Sequence, residues 1–218
     1  MNNYECYLHG AVNDAQWKAF LMSKLKGLST SYAVPFHYKE LVFKSAVQGI
    51  AQIELRARCD LSSEPHKWTV RSTSLPNVKP KMPVLVRSVI DAQVSDNIHT
   101  FLELAGYKYD YEFVSEGTES IALIKDRRCV ITVSKIFRTF DGSGRNDEDS
   151  LTPGFSLVEL TTTATTDEDL NHAADELNLI AEYFAPISLV KIQHTQIKAS
   201  KASAQPIKQT LAQGKKKG

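Results

Sequence analysis

The chain has 218 residues, a net charge of +1, 42% hydrophobic and 23% charged residues, which suits a globular protein with a sizeable core. No apolar run approaches the ~18 residues of a membrane-spanning helix, and the opening MNNYECYLHG lacks the basic start and greasy centre of a secretory signal, so the chain reads as soluble and intracellular. Cys6, Cys59 and Cys129 are odd in number, widely spaced and without a C-x-x-C pair, which speaks against a disulfide framework or a thiolate metal site and for reduced, buried thiols.

Taken in order, Tyr4 to Gly10 reads as a short strand. Asn13 or Asp14 is placed to cap a helix through about Lys26, with Trp17, Phe20, Leu21, Leu25 and Leu28 as its apolar stripe and Gly27 ending it. Trp17 is expected to anchor the core. Residues 36–46 and 50–60 form a hairpin around Val47-Gln48-Gly49, and its second arm sets Ile53, Leu55, Ala57 and Cys59 against Gln52, Glu54, Arg56 and Arg58. Lys67 to Thr73 is another strand, before a connector whose Pro76, Pro80 and Pro83 keep it out of a central strand.

The stretch from Val84 to Gly117 is the organising unit. Its first part alternates, with Val84, Val86, Ser88, Ile90, Ala92 and Val94 making the greasier face. Asp96 is expected to cap a helix carrying Ile98, Phe101, Leu102 and Ala105, which Gly106 stops. A strand follows with Tyr107, Tyr109, Tyr111 and Phe113 on one side, expected to lie beneath that helix. Ser120 to Lys125 and Cys129 to Phe140 read as a second hairpin turning at Asp126-Arg127-Arg128. Asp141 to Gly154 is a polar loop, and its GSGR is no phosphate cradle because no Gly-Lys-Ser/Thr and no helix follow.

Phe155 to Ala164 returns as a strand, and Thr166 caps the strongest helix of the chain, with Asp169 in the third helical position. Leu170, Ala173, Ala174, Leu177, Ile180, Ala181 and Phe184 form its stripe, and Pro186 closes it. Ile187 to Ile192 is expected to pair with the sheet. Residues 1–194 are read as one domain and residues 195–218 as a disordered lysine-rich tail. That tail carries +6 and no acid, leaving −5 on the rest, which disfavours a broad phosphate-binding face there. Eight or nine strands with hairpin connections and three helices make an α+β, mainly antiparallel protein; so many strands close into a barrel or split into a sandwich.

No catalytic, cofactor-binding or metal-binding residue is assigned. The six histidines include no H-x-H or H-x-x-x-H pair, and no G-x-S-x-G elbow is present. A metal-dependent phosphohydrolase in a barrel would need carboxylates at alternate positions of one strand, so that both face one lumen. Glu5 is followed at alternate positions by Tyr7 and His9, and Glu159 by Thr161 and Thr163, so each strand offers one acid where two are wanted. Glu54 or Glu112 would have to supply the missing one. Arg56, Arg58, Arg71, Arg87, Lys135 and Arg138 could meet a polyphosphate, but they are expected on solvated outer faces.

Several segments together resemble the Mediator subunit 18 family. They are Tyr7-Leu8-His9-Gly10, Leu25-Lys26-Gly27-Leu28, Leu55-Arg56-Ala57-Arg58, Leu85-Val86-Arg87 and Ser95-Asp96-Asn97. Further on come Tyr111-Glu112-Phe113-Val114 within Tyr109 to Gly117, Ser134-Lys135-Ile136-Phe137-Arg138 and Leu157-Val158-Glu159-Leu160. They keep the family's order from about residue 6 to 193, and the lysine-rich tail has no counterpart. The resemblance implies a closed β-barrel of about eight strands flanked by three helices, similar to triphosphate tunnel enzymes. It implies a nuclear, non-catalytic coactivator subunit of the Mediator head, needing no cofactor. Its implied partners are subunit 20, as a paired barrel, and the C-terminal helix of subunit 8, with RNA polymerase II machinery contacted indirectly.

Overall fold

The computed structural model describes residues 4–15, 18–28, 33–46, 54–77, 82–138 and 149–191. Trp17, the Val47-Gln48-Gly49 turn, Pro80, most of the polar loop and the lysine-rich tail lie outside them. The strands are β1 (Tyr4–Asn13), β2 (Val34–Ser45), β3 (Glu54–Asp60), β4 (Lys67–Thr73), β5 (Leu85–Val94), β6 (Tyr107–Ile124), β7 (Arg127–Arg138) and β8 (Phe155–Ala164). The helices are α1 (Lys18–Leu28), α2 (Ile98–Leu104) and α3 (Asp167–Tyr183).

Neighbouring strands pair antiparallel in the closed order β1-β5-β4-β3-β2-β6-β7-β8, so the barrel alternative holds and no sandwich forms. Closure removes the unpaired edges that an open sheet of this size would leave. The seam between β1 and β5 is short, with only Tyr4 to Tyr7 opposite Ser88 to Leu85. β1 and β8 instead pair along ten residues.

Two apolar clusters sit on the outside of the wall. The larger joins Cys6, Leu8 and Val12 of β1, Ile131 and Val133 of β7 and Val158 and Leu160 of β8 to Leu21 and Leu25 of α1 and the buried stripe of α3. The smaller lays Ile98 and Leu102 of α2 on Leu41, Phe43 and Ala57. The α3 stripe is as the heptad-like spacing predicts, and the Asp169 N–H donates to Thr166 Oγ1 at 3.1 Å. Asp169 also accepts from the Thr165 N–H, so the capping carboxylate holds the chain just before the helix as well.

Several local expectations change. Asn13 and Asp14 do not cap α1, because β1 runs on through Asn13 and Asp14 accepts from Ser156 Oγ and Lys135 Nζ instead. Gly27 lies inside α1, where a Cβ would stand 3.2 Å from the Tyr183 hydroxyl; its use is close approach to the end of α3. Asn97, not Asp96, occupies the cap of α2, and no side chain bonds there. Gly106 does end that helix, at φ +89.

The second hairpin turns at Lys125-Asp126, both at positive φ, so Arg127 and Arg128 belong to β7. β6 is a single strand of 18 residues where two were expected, because Gly117 continues the ladder. A Cβ at Gly117 would overlap the Val133 carbonyl and lie 2.8 Å from Ser134 Cα, so glycine lets β6 and β7 close on each other there. The segment after α3 pairs with the sheet by one bridge, His9 with Val190, and Gly10 leaves room for Ser188 and Leu189 to lie against β1.

Candidate functional site

A two-residue period has one geometric consequence in a barrel: if one set of alternating side chains packs under the helices, the other points into the lumen. Cys6 and Leu8 lie in the outer cluster, so Glu5, Tyr7 and His9 face inward. The same argument turns Glu159 and Thr161 of β8 inward, between Val158, Leu160 and Thr162. Leu55 and Ala57 pack outward, which turns Arg56 and Arg58 inward, and register carries Arg71, Arg87 and Asp91 to the same side. The lumen is therefore polar and the hydrophobic core wraps around it.

This reverses the expectation for the arginines and keeps it for Lys135. Arg56, Arg58, Arg71 and Arg87 line the tunnel, while Lys135 sits outside with Asp14 at 2.8 Å. Alternation shows which residues share a face, but the choice of face is made by where the helices land. The greasier side of β5 is likewise the outer one; Ile90 on it is 70% exposed, while Val94 packs against the smaller cluster.

Each lumen acid of the network meets an arginine or a histidine. Glu5 accepts from Arg87 and lies 3.6 Å from Arg71, which also makes two 2.8 Å bonds to Asp91. Arg87 stacks over the Tyr7 ring at 4.4 Å. Glu40 of β2, nearly fully buried, takes two bonds from Arg58 at 2.8 and 3.0 Å, with Arg56 4.0 Å away. His9 Nε2 stands 2.6 Å from Glu159 Oε2. Burial alone would push the Glu159 carboxyl up; the bond from His9 and the fields of Arg87 and Arg71 outweigh it and hold the group below the usual carboxylate range. For Arg71, burial opposes the charge, but Asp91, Glu5 and Glu159 raise its already high value further.

The two acids weighed from the sequence are thus brought onto adjacent inward-facing strands, β1 and β8. They are not brought together as a ligand pair, because Glu5 is engaged by Arg87 and Arg71 and Glu159 by His9. Glu54 is held by Arg56 at 2.8 Å, and Glu112 lies outside with Lys39 at 3.0 Å. Among the described residues no group of three or more His, Cys, Asp or Glu side chains could hold a metal ion. Glu40 and Asp91 were missed from the sequence; the only available signal was parity, since Glu40 falls two residues after Tyr38 and two before Val42 in β2.

The aromatic stripe of β6 is split by a bulge. Val42 lies opposite Tyr111 but the next residue, Phe43, lies opposite Tyr109, so Asp110 is extra. Tyr107 consequently packs on the outer cluster beneath α2, and Tyr109, on the same face and partly exposed, lies against Phe43 and His99. Tyr111 and Phe113 turn to the opposite face and stack at 6.3 Å. The expectation that all four lie beneath the helix is therefore right for two.

The sequence matches the Med18 protein family over residues 4–179. Subunit 18 of the mediator of RNA polymerase II transcription from Dictyostelium discoideum is 29% identical over 214 residues, covering 93% of this chain and 78% of that protein. A chain in the Schizosaccharomyces pombe Mediator head module has the same fold, with a TM-score of 0.66, 16% identity and coverage of 87% of this chain and 98% of that one. A Hippeastrum protein described by a dominant triphosphatase activity shares the barrel at TM-score 0.50 and 10% identity, covering 89% of this chain and 93% of that one.

Proposed function

Because the chain belongs to the Med18 protein family, the subunit 18 family of Mediator, we propose that it is a non-catalytic structural subunit of the Mediator head, bridging regulators and RNA polymerase II in the nucleus by binding neighbouring subunits. The observation that carries the non-catalytic part is the state of the lumen: Glu5, Glu40, Asp91 and Glu159 are each engaged by an arginine or histidine of the same chain. Binding a metal and a polyphosphate there would require Glu5 and Glu40, the buried acids of the set, to give up their arginines, at the cost that buried unpaired charges carry. The triphosphatase alternative is weaker for that reason.

The family relationship supports a related barrel, subunit 20, and the C-terminal helix of subunit 8 as partners. We take residues 1–194 as the single domain that carries the contacts with those partners. The charge of −5 outside that segment supports a protein partner over nucleic acid for the folded part.

Co-purification of the tagged full chain from nuclear extract, followed by mass spectrometry, tests the reading. Mediator head subunits in near-stoichiometric amount are expected, and a chain recovered alone would overturn it. A parallel assay of tripolyphosphate hydrolysis with magnesium or manganese should show no turnover; turnover abolished by Glu5→Gln or Glu159→Gln would restore the enzymatic alternative.

A further inference from the structure

One mouth of the barrel, at the β3, β6 and β7 side, opens into a cleft of about 730 Å³ whose lining includes Arg56, Tyr111, Phe113 and Arg138 together with the acids Asp110 and Glu112. We propose that this mouth docks an acidic peptide of a partner protein, which lays an apolar side chain on Tyr111 and Phe113 and directs a carboxylate at Arg138. The proposal rests on the scaffold reading and specifies the chemistry of one partner.

Three features of the cleft select that occupant. First, the Asp110 bulge turns Tyr111 and Phe113 out from under α2 and leaves them stacked beside the opening, with Tyr111 45% exposed and Leu151 47% exposed. A rigid aromatic pair beside aliphatic side chains is the composition of a protein-recognition patch. Second, Arg138 makes no ion pair among the described residues, whereas Arg56 is held by Glu54. An exposed guanidinium at the rim is a two-pronged donor suited to a carboxylate. Third, the acids at the same rim are already neutralised outside it, Asp110 by Lys44 at 2.6 Å and Glu112 by Lys39 at 3.0 Å. They do not oppose an incoming carboxylate.

At the opposite mouth, about 550 Å³, Arg58 and Arg71 are tied to Glu40, Asp91 and Glu5, and Lys67 stands across from Asp60 in the strand register. A volume within the ~300–1,000 Å³ of ordinary ligand pockets admits one or two side chains and their backbone, not a folded domain. A short peptide fits; charge complementarity makes it an acidic one.

The test uses the full chain and a fluorescein-labelled twelve-residue peptide in which aspartates alternate with phenylalanine and leucine, followed by anisotropy. Saturable binding is expected. Arg138→Glu should weaken it about tenfold or more, as loss of a charge-assisted contact does. Tyr111→Ser should weaken it as well, while Lys67→Glu at the opposite mouth leaves it unchanged. Circular dichroism of each variant separates a lost site from a lost fold. Absence of saturable binding, equal binding of the peptide with asparagine for aspartate, or indifference to both Arg138→Glu and Tyr111→Ser would overturn the proposal. The scaffold reading fails separately, through co-purification of the unaltered chain.

Discussion

Arg127 clamps α3 to the barrel, and replacing it with leucine tests whether that clamp holds the helix. Its Nε lies 2.6 Å from Glu176, Nη1 donates to the Thr163 carbonyl at 2.9 Å, and the guanidinium also binds Asp169. Glu176 is 9% exposed and sits among the apolar stripe residues of α3, so removing the cation leaves an almost buried carboxylate alone. Breaking a fully buried pair costs about 3–5 kcal/mol. Water reaches part of this site, since the side chains of Arg127 and Asp169 are 19% and 30% exposed, which brings the expected loss to about 2–4 kcal/mol. Urea unfolding should show a lower midpoint at pH 7 with an unchanged slope. The bond to Arg127 is the main cause holding the Asp169 carboxyl below its usual range, so this contribution is present above the ordinary aspartate range and fades as pH falls through the depressed value. The gap between the two proteins therefore narrows at low pH. Arg127→Leu combined with Glu176→Leu should recover most of the loss, because the uncompensated charge is then gone. A single-variant loss below about 1 kcal/mol, or a double variant as unstable as the single, would refute the argument.

Gly117→Ala places a Cβ on the Val133 carbonyl and should prevent normal closure of β6 on β7, whereas Gly154→Ala meets open space and bears only the left-handed backbone cost of about 1–2 kcal/mol; thermal melts of both separate the two effects. Glu159→Gln removes a carboxyl held below its usual range against its own burial, so stability at neutral pH should fall, acid unfolding followed by fluorescence should be less steep, and the two proteins should converge as pH falls below the ordinary glutamate range. Burial pushes the Cys6 thiol up to about 12 and raises Cys129 and Cys59 as well, so a thiol reagent at pH 8 should leave all 3 unlabelled in the native chain and label them after denaturation. Fast labelling of any of them in the native state would contradict the packing of the outer clusters.

The positions where the sequence reading went astray share a cause. The strand from Tyr107 was read with an unbroken period of two, and one extra residue, Asp110, sends Tyr111 and Phe113 to the other face. A bulge leaves no mark on hydrophobic alternation, because it is chosen by how β2 and β6 register against each other. The turn at Lys125-Asp126 was placed one residue too late, since neither residue announces positive φ as glycine or asparagine would. Gly117 was legible as a glycine but not as the point where β7 comes close.

The sequence by itself determined the element types, the three helices, the Thr166 cap and the buried stripe of α3, because those follow from contacts within a few residues of chain. It also determined that neither β1 nor β8 carries two acids on one face, a matter of parity alone. The tertiary structure decided which face is inside. With α1, α2 and α3 packed on the outer wall, the greasy residues turn outward and Arg56, Arg58, Arg71 and Arg87 turn into the lumen, where Glu5, Glu40 and Asp91 meet them from other strands. Those pairs join residues up to 82 positions apart, as Glu5 and Arg87 are. Local periodicity carries no information over that distance, because partners so separated are selected by strand order and register, which closure of the whole barrel fixes together.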